Sequence, residues 1–88
     1  MTTVVVHYAH DVPLTEEALA AWIAKLRRCF EVREIAWQRA FLSFDRKTVI
    51  SIYEASDAGL VQMVHGMIGV PFVACYPMTV VVGCPDQA

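Results

Sequence analysis

Three extended-looking runs in this chain are apolar on both faces. Val4-Val5-Val6, Val49-Ile50-Ser51-Ile52-Tyr53 and Val80-Val81-Val82 lack the alternation expected of a sheet with one wet side. A chain of 88 residues has room for two helices, enough to cover one sheet face. The other face needs a different cover, and a second copy of the same chain is the simplest. Composition pushes the same way. The chain is 57% hydrophobic and 18% charged, against usual values of about 45–50% and about 25%. So small a domain has little interior in which to hide that surplus, so the sequence predicts a homodimer joined through the open sheet face.

Other outlets for the apolar surplus fit poorly. The longest weakly polar run, residues 70–82, is broken by Pro71 and Pro77 and is shorter than the roughly 18 residues that suggest a membrane span. Met1-Thr2-Thr3 offers no basic n-region, and Val4-Val5-Val6 is too short for a signal core. The three cysteines, Cys29, Cys75 and Cys84, form neither a disulfide framework nor a zinc-type pair. Cys29 and Cys75 read as small core residues and Cys84 as a tail thiol, all in a reducing compartment. The expected location is the cytoplasm. A net charge of −2 speaks against nonspecific nucleic-acid binding, which needs a basic surface.

The order of elements is legible. Residues 3–9 predict a strand ended by His10-Asp11-Val12-Pro13. Thr15 suits a helix N-cap, with Glu16 and Glu17 in the first turn and Lys25, Arg27 and Arg28 near the end. The apolar stripe of that helix is Leu19, Trp22, Ile23, Leu26 and Phe30. A strand follows over residues 35–44, a hairpin tip at Asp45-Arg46, and a return strand over 47–55. Ser56, with Asp57 behind it, caps a short helix that Gly69 stops. Pro71 opens a last extended stretch ending near Gly83. This βαββαβ order predicts a single ferredoxin-like α+β domain over residues 1–88, with an antiparallel sheet in the order 4-1-3-2 and both helices on one face. Pro77 cannot donate to a ladder, which suits the edge position of the fourth strand. Paired through the bare face, two such domains make a dimeric α+β barrel.

Leu14-Thr15-Glu16-Glu17, Trp37, Tyr53-Glu54-Ala55 and Gly69-Val70-Pro71 fall in the places of a recognisable pattern. The chain resembles a family of small bacterial ferredoxin-like proteins of largely unknown function, some members of which are described as nickel-binding. The likeness covers most of the chain through short, mainly structural motifs. The chain departs from the pattern at Gln38-Arg39-Ala40, where many relatives carry a histidine-containing segment, and at Ser51, where many carry cysteine. The resemblance implies the fold, and a transition metal such as nickel as the cofactor to look for.

Residue chemistry offers three candidate sites. His7, His10 and Asp11 lie together at the end of the first strand, and imidazole with carboxylate suits nickel, zinc or copper. The blander reading, which the lack of a specific motif favours, makes His7 an interior hydrogen-bonded histidine and His10 a turn residue. His65 falls at the border of the second helix's stripe of Leu60, Val61, Val64 and Ile68. There it is either a pocket acid, base or ligand, or a partly exposed residue near the helix end. These four residues are the metal candidates. The third site is a ligand pocket between sheet and helices lined by Trp37, Arg39, Phe41, Tyr53 and Glu54, with Tyr76 and Ser51 nearby. Period-two spacing puts Trp37, Arg39 and Phe41 on one strand face. An arginine among aromatics needs an anion, which Glu54 or a ligand would supply. Met63 and Met67 read as gap-fillers or interface residues.

Two functional classes therefore compete, beside a purely structural dimer. One is a small homodimeric binding protein for a transition metal or small ligand. The other is a cofactor-free isomerase or monooxygenase of the dimeric α+β-barrel type, with an aromatic or polyketide-like substrate in an apolar pocket and His65 or His7 handling the proton. RNA binding through the sheet is disfavoured, because the first and third strands lack exposed aromatics in a basic surround.

Overall fold

The computed structural model describes residues 1–81. Its elements are β1 (Thr2–Ala9), α1 (Glu16–Glu31), β2 (Ala36–Leu42), β3 (Thr48–Ala55), α2 (Ala58–Ile68) and β4 (Ala74–Met78). The strands form one antiparallel sheet in the order β2-β3-β1-β4, which is the expected 4-1-3-2 read from the other edge. The fold is ferredoxin-like α+β. Pro77 lies in β4, paired only to β1 among the described residues and so at the sheet edge, where a missing backbone donor costs least.

Helix boundaries follow local chemistry. The Thr15 side chain accepts from the backbone N–H of Ala18 at 3.0 Å, satisfying one of the four free donors at a helix start. At the other end of α1, Arg33 donates to the Cys29 carbonyl at 2.7 Å. The cap of α2 is Asp57, whose carboxylate accepts from Leu60 N–H at 2.7 Å. The sequence pointed to Ser56, one residue early; a carboxylate beside the positive helix end is the stronger acceptor. Gly69 closes α2 with φ of 71°, a left-handed conformation that glycine adopts without Cβ strain.

Both helices pack on one face of the sheet. Val4, Val6 and Tyr8 of β1, Val49, Tyr53 and Ala55 of β3, Leu26 and Phe30 of α1, and Val61 and Val64 of α2 form the core. Each large side chain buried there contributes about 1.5–3 kcal/mol through apolar burial. The opposite face carries Val5 and His7 of β1 and Ile50 and Ile52 of β3. Tyr76 and Met78 of β4 lie beside them by register.

The β2 strand departs from simple alternation. Trp37 pairs with Tyr53, but the next pairing is Arg39 with Ile52, so Gln38 is an inserted residue. Such a bulge shifts every following side chain by one face. Arg39 and Phe41 therefore lie with Ile52 and Ile50 on the open face, while Trp37 packs against the core. The expected pocket of Trp37, Arg39, Phe41, Tyr53 and Glu54 is thus divided by the sheet. Trp37 and Tyr53 face the helices; Arg39, Phe41 and Glu54 do not. Cys29 and Cys75 are free thiols, half-buried, while Val82, Gly83 and Cys84 lie outside the described residues.

Candidate functional site

The polar centre of the molecule is a chain of buried side chains between β1, β3 and α2. Alternation along β1 sends Val4, Val6 and Tyr8 toward the helices. Tyr53 arrives from β3 by the same rule, and His65 from the α2 face that carries Val61 and Val64. The Tyr8 hydroxyl lies 2.6 Å from the Tyr53 hydroxyl and 2.6 Å from His65 Nε2. His65 Nδ1 lies 2.7 Å from the Val61 carbonyl. A carbonyl only accepts, so Nδ1 carries the proton. Nε2 of the neutral ring is then an acceptor, Tyr8 donates to it, and Tyr53 donates to Tyr8.

Burial enforces these protonation states. It pushes the His65 imidazole below its ordinary value, because a cation without a counter-charge is penalised in low dielectric. Burial likewise raises the Tyr53 hydroxyl to about 12 and the Tyr8 hydroxyl further still. His65 is 0% exposed, not at an accessible border of its helix. Phe30 and Phe72 rings sit 5.0 and 5.3 Å from it. Trp22 stands edge-on to Tyr8, His10 and Trp37 at 4.8, 5.7 and 5.8 Å. Nearby, Ser51 Oγ, Trp37 Nε1 and His10 Nε2 are buried without hydrogen-bond partners among the described residues.

The four metal candidates do not converge. His7 is on the open face, where its Nε2 lies 2.8 Å from the Tyr76 hydroxyl. His10 packs against Trp22 on the helix side, Asp11 is exposed in the following turn, and His65 is sealed in the core. An i, i+3 pair in extended backbone points to opposite sides, so His7 and His10 separate. Among the described residues no group of three or more His, Cys, Asp or Glu could hold a metal ion within one copy. Glu54 accepts from Thr3 at 2.5 Å rather than pairing with Arg39. Sequence reasoning passed over Tyr8. Its signal was the Val4, Val6, Tyr8 alternation, which aims a phenol with a polar tip into the core.

No family model matches the chain, and no curated protein matches it in sequence. Among solved structures the chain is similar to SCO4226 from Streptomyces coelicolor A3(2), with a TM-score of 0.78 and 14% sequence identity. The match covers 91% of this chain and 99% of that one. The two proteins share a fold. At that identity the likeness is one of fold alone. No helix among the described residues is long and apolar enough to cross a membrane.

Proposed function

We propose that this chain is a small cytoplasmic binding protein that acts as a homodimer. The open sheet face of one copy would cover that of the other, closing a dimeric α+β barrel, with His7 offering imidazole at the seam. The observation that carries this reading is the composition of that face. Phe41, Tyr76 and Met78 are 52%, 39% and 48% exposed there, beside half-buried Ile50 and Ile52. Interface cores are depleted in charge and enriched in aromatics and methionine, and a second copy brings an equally apolar partner.

For the nickel suggested by the family resemblance, a single copy gathers no three-ligand group of His, Cys, Asp or Glu among the described residues. At a seam, two copies would each bring a His7 with Tyr76 beside it. Imidazole nitrogen and oxygen donors suit nickel; a small polar ligand is the other occupant. Of the two proton handlers the enzyme alternative offers, His65 has both nitrogens engaged and buried, while His7 stands on the open face beside the Tyr76 hydroxyl.

Native mass spectrometry, with and without added nickel, tests the proposal. A dimeric mass taking up metal at a fixed stoichiometry, and losing it in His7→Ala, supports it. A monomeric mass at micromolar concentration overturns the dimer, and unchanged uptake in His7→Ala overturns the seam assignment.

A further inference from the structure

Trp22 joins the buried polar chain to the edge of the sheet. Its ring stands edge-on to Tyr8 at 4.8 Å and to Trp37 at 5.8 Å. Tyr8 is buried and both tryptophans are half-buried, so a line of neighbouring rings runs from the sealed core out to β2. Among aromatic side chains, tyrosine and tryptophan give up a single electron most readily. A phenol does so at modest potential only if its proton leaves at the same time. Tyr8 already donates to His65 Nε2 at 2.6 Å, and that nitrogen accepts because Nδ1 holds its own proton against the Val61 carbonyl at 2.7 Å. An oxidised phenol is a far stronger acid than an imidazolium, so transfer along this bond is downhill even though burial disfavours the His65 cation. After transfer both imidazole N–H groups still have acceptors, the Val61 carbonyl and the Tyr8 oxygen, and Tyr53 still donates to that oxygen.

Trp37 is equipped differently. Its Nε1 is buried without a hydrogen-bond partner among the described residues, so an oxidised Trp37 has no base to take its proton. The Arg27 guanidinium carbon lies 6.0 Å from the Trp37 ring centroid, and its positive charge further disfavours a cation on that ring. An electron vacancy created on Trp37 is thus driven inward, away from the arginine and toward a phenol with a base in place.

We propose that Tyr8 is a proton-coupled one-electron redox centre, reached from the surface through Trp37 and Trp22. A strong one-electron oxidant of the small inorganic radical class, such as the carbonate radical anion, takes an electron from Trp37 and is reduced to carbonate. Trp22 then gives an electron to Trp37, and Tyr8 gives one to Trp22. The Tyr8 proton passes to His65 Nε2, which leaves a neutral phenoxyl beside an imidazolium. One electron has left the protein, and the only bond broken is the Tyr8 O–H. Burial keeps this phenoxyl from coupling with solutes or with a second phenoxyl. Tyr76 also meets a histidine, His7, but it is 39% exposed, where a radical is open to quenching. The centre uses neither the open face nor a metal, so it stands apart from the dimer.

Flash oxidation of the full chain by photogenerated tris(bipyridine)ruthenium(III) tests it, in a Tyr76→Phe background that lacks the exposed phenol. Electron paramagnetic resonance of samples frozen after the flash should show a neutral tyrosyl radical, and transient absorption should show it forming more slowly in deuterium oxide. His65→Gln keeps a hydrogen-bonding side chain but removes the base, so the tyrosyl signal should be lost and a tryptophan radical should take its place. Tyr8→Phe should give the same result. Because Tyr8→Phe weakens the core, Trp37→Phe is the companion variant: it leaves the bond from Tyr8 to His65 in place and should lose most of the tyrosyl yield. A tryptophan radical alone in the Tyr76→Phe chain overturns the proposal. A tyrosyl signal that persists in Tyr8→Phe, or is unchanged in His65→Gln, overturns the assignment to this pair. Undiminished yield in Trp37→Phe overturns the relay.

Discussion

The Tyr8 hydroxyl donates to Nε2 of His65 across 2.6 Å, deep between sheet and helices. The direction of that bond is dictated from outside it, by the Val61 carbonyl that takes the Nδ1 proton. Tyr8 is thus the central member of the chain, giving a proton to His65 and receiving one from Tyr53. Removing its oxygen strands two buried partners. Tyr8→Phe should cost about 1–3 kcal/mol, because unsatisfied buried polar groups carry most of their desolvation penalty. Tyr53→Phe leaves the bond from Tyr8 to His65 intact and should cost about 1 kcal/mol. Urea unfolding of the two variants gives the comparison, and equal losses would contradict the assigned direction.

Stability should fall on both sides of neutrality. The folded-state value of His65 is depressed below its ordinary 6.5, so in mild acid the unfolded chain binds the extra proton first. Its contribution is present above pH 6.5 and lost as pH falls toward the folded value. The tyrosines act oppositely. Tyr8 and Tyr53 are raised above 10.0, so above that pH the unfolded chain loses protons that the folded one retains, and stability declines. Burial raises the Cys75 thiol too, adding to the alkaline loss. Denaturation midpoints measured from pH 5 to pH 11 should trace this dome. His65→Gln should flatten the limb between pH 5 and 6.5 and leave the alkaline limb in place.

The proposed dimer seam on the open face would make Ile52 a sensitive position. It lies on that face opposite Val5 and beside the Arg39 bulge, half-buried in one copy. Ile52→Glu would place a carboxylate from each copy in an apolar seam, where an unpaired buried charge costs several kcal/mol. Light scattering should show the mass halved relative to the parent, with an unchanged far-ultraviolet circular dichroism spectrum. A mass unaffected by the substitution would argue for a different interface.

Gly69 offers a test of local strain alone. Its φ is 71°, and a Cβ there would meet no atom within 4 Å. Gly69→Ala therefore pays only for the left-handed backbone, about 1 kcal/mol. A thermal melt showing no loss would mean that the C-cap of α2 rearranges at no cost.

Much of this protein was written in local pattern. Thr15 and Gly69 mark helix ends through side-chain and backbone chemistry that acts over a few residues. The spacing of Leu19, Trp22, Leu26 and Phe30 states a helix and its buried side without reference to anything else. Pro77 gave the edge strand, because a missing donor is a local fact with one global remedy. Strand order followed from these elements and from the rule that both helices share a face.

The candidate sites were a different matter. Period two is a sound rule until a residue is inserted. Gln38 turned Arg39 and Phe41 to the other side of the sheet, where a pocket drawn from sequence could not follow them. No composition signal announces a bulge, since it arises from how β2 registers against β3. The three histidines are similarly dispersed, because their positions depend on alternation, on a turn and on the packing of α2. Sequence by itself determined the order of helices and strands and the surplus of apolar surface, although the last strand, Ala74–Met78, is shorter than the extended stretch expected from Pro71 to near Gly83 and ends before Val80 and Val81. Only the tertiary structure decided which polar atoms meet, because Tyr8, Tyr53 and His65 come from separate elements and touch only once the sheet and α2 are packed.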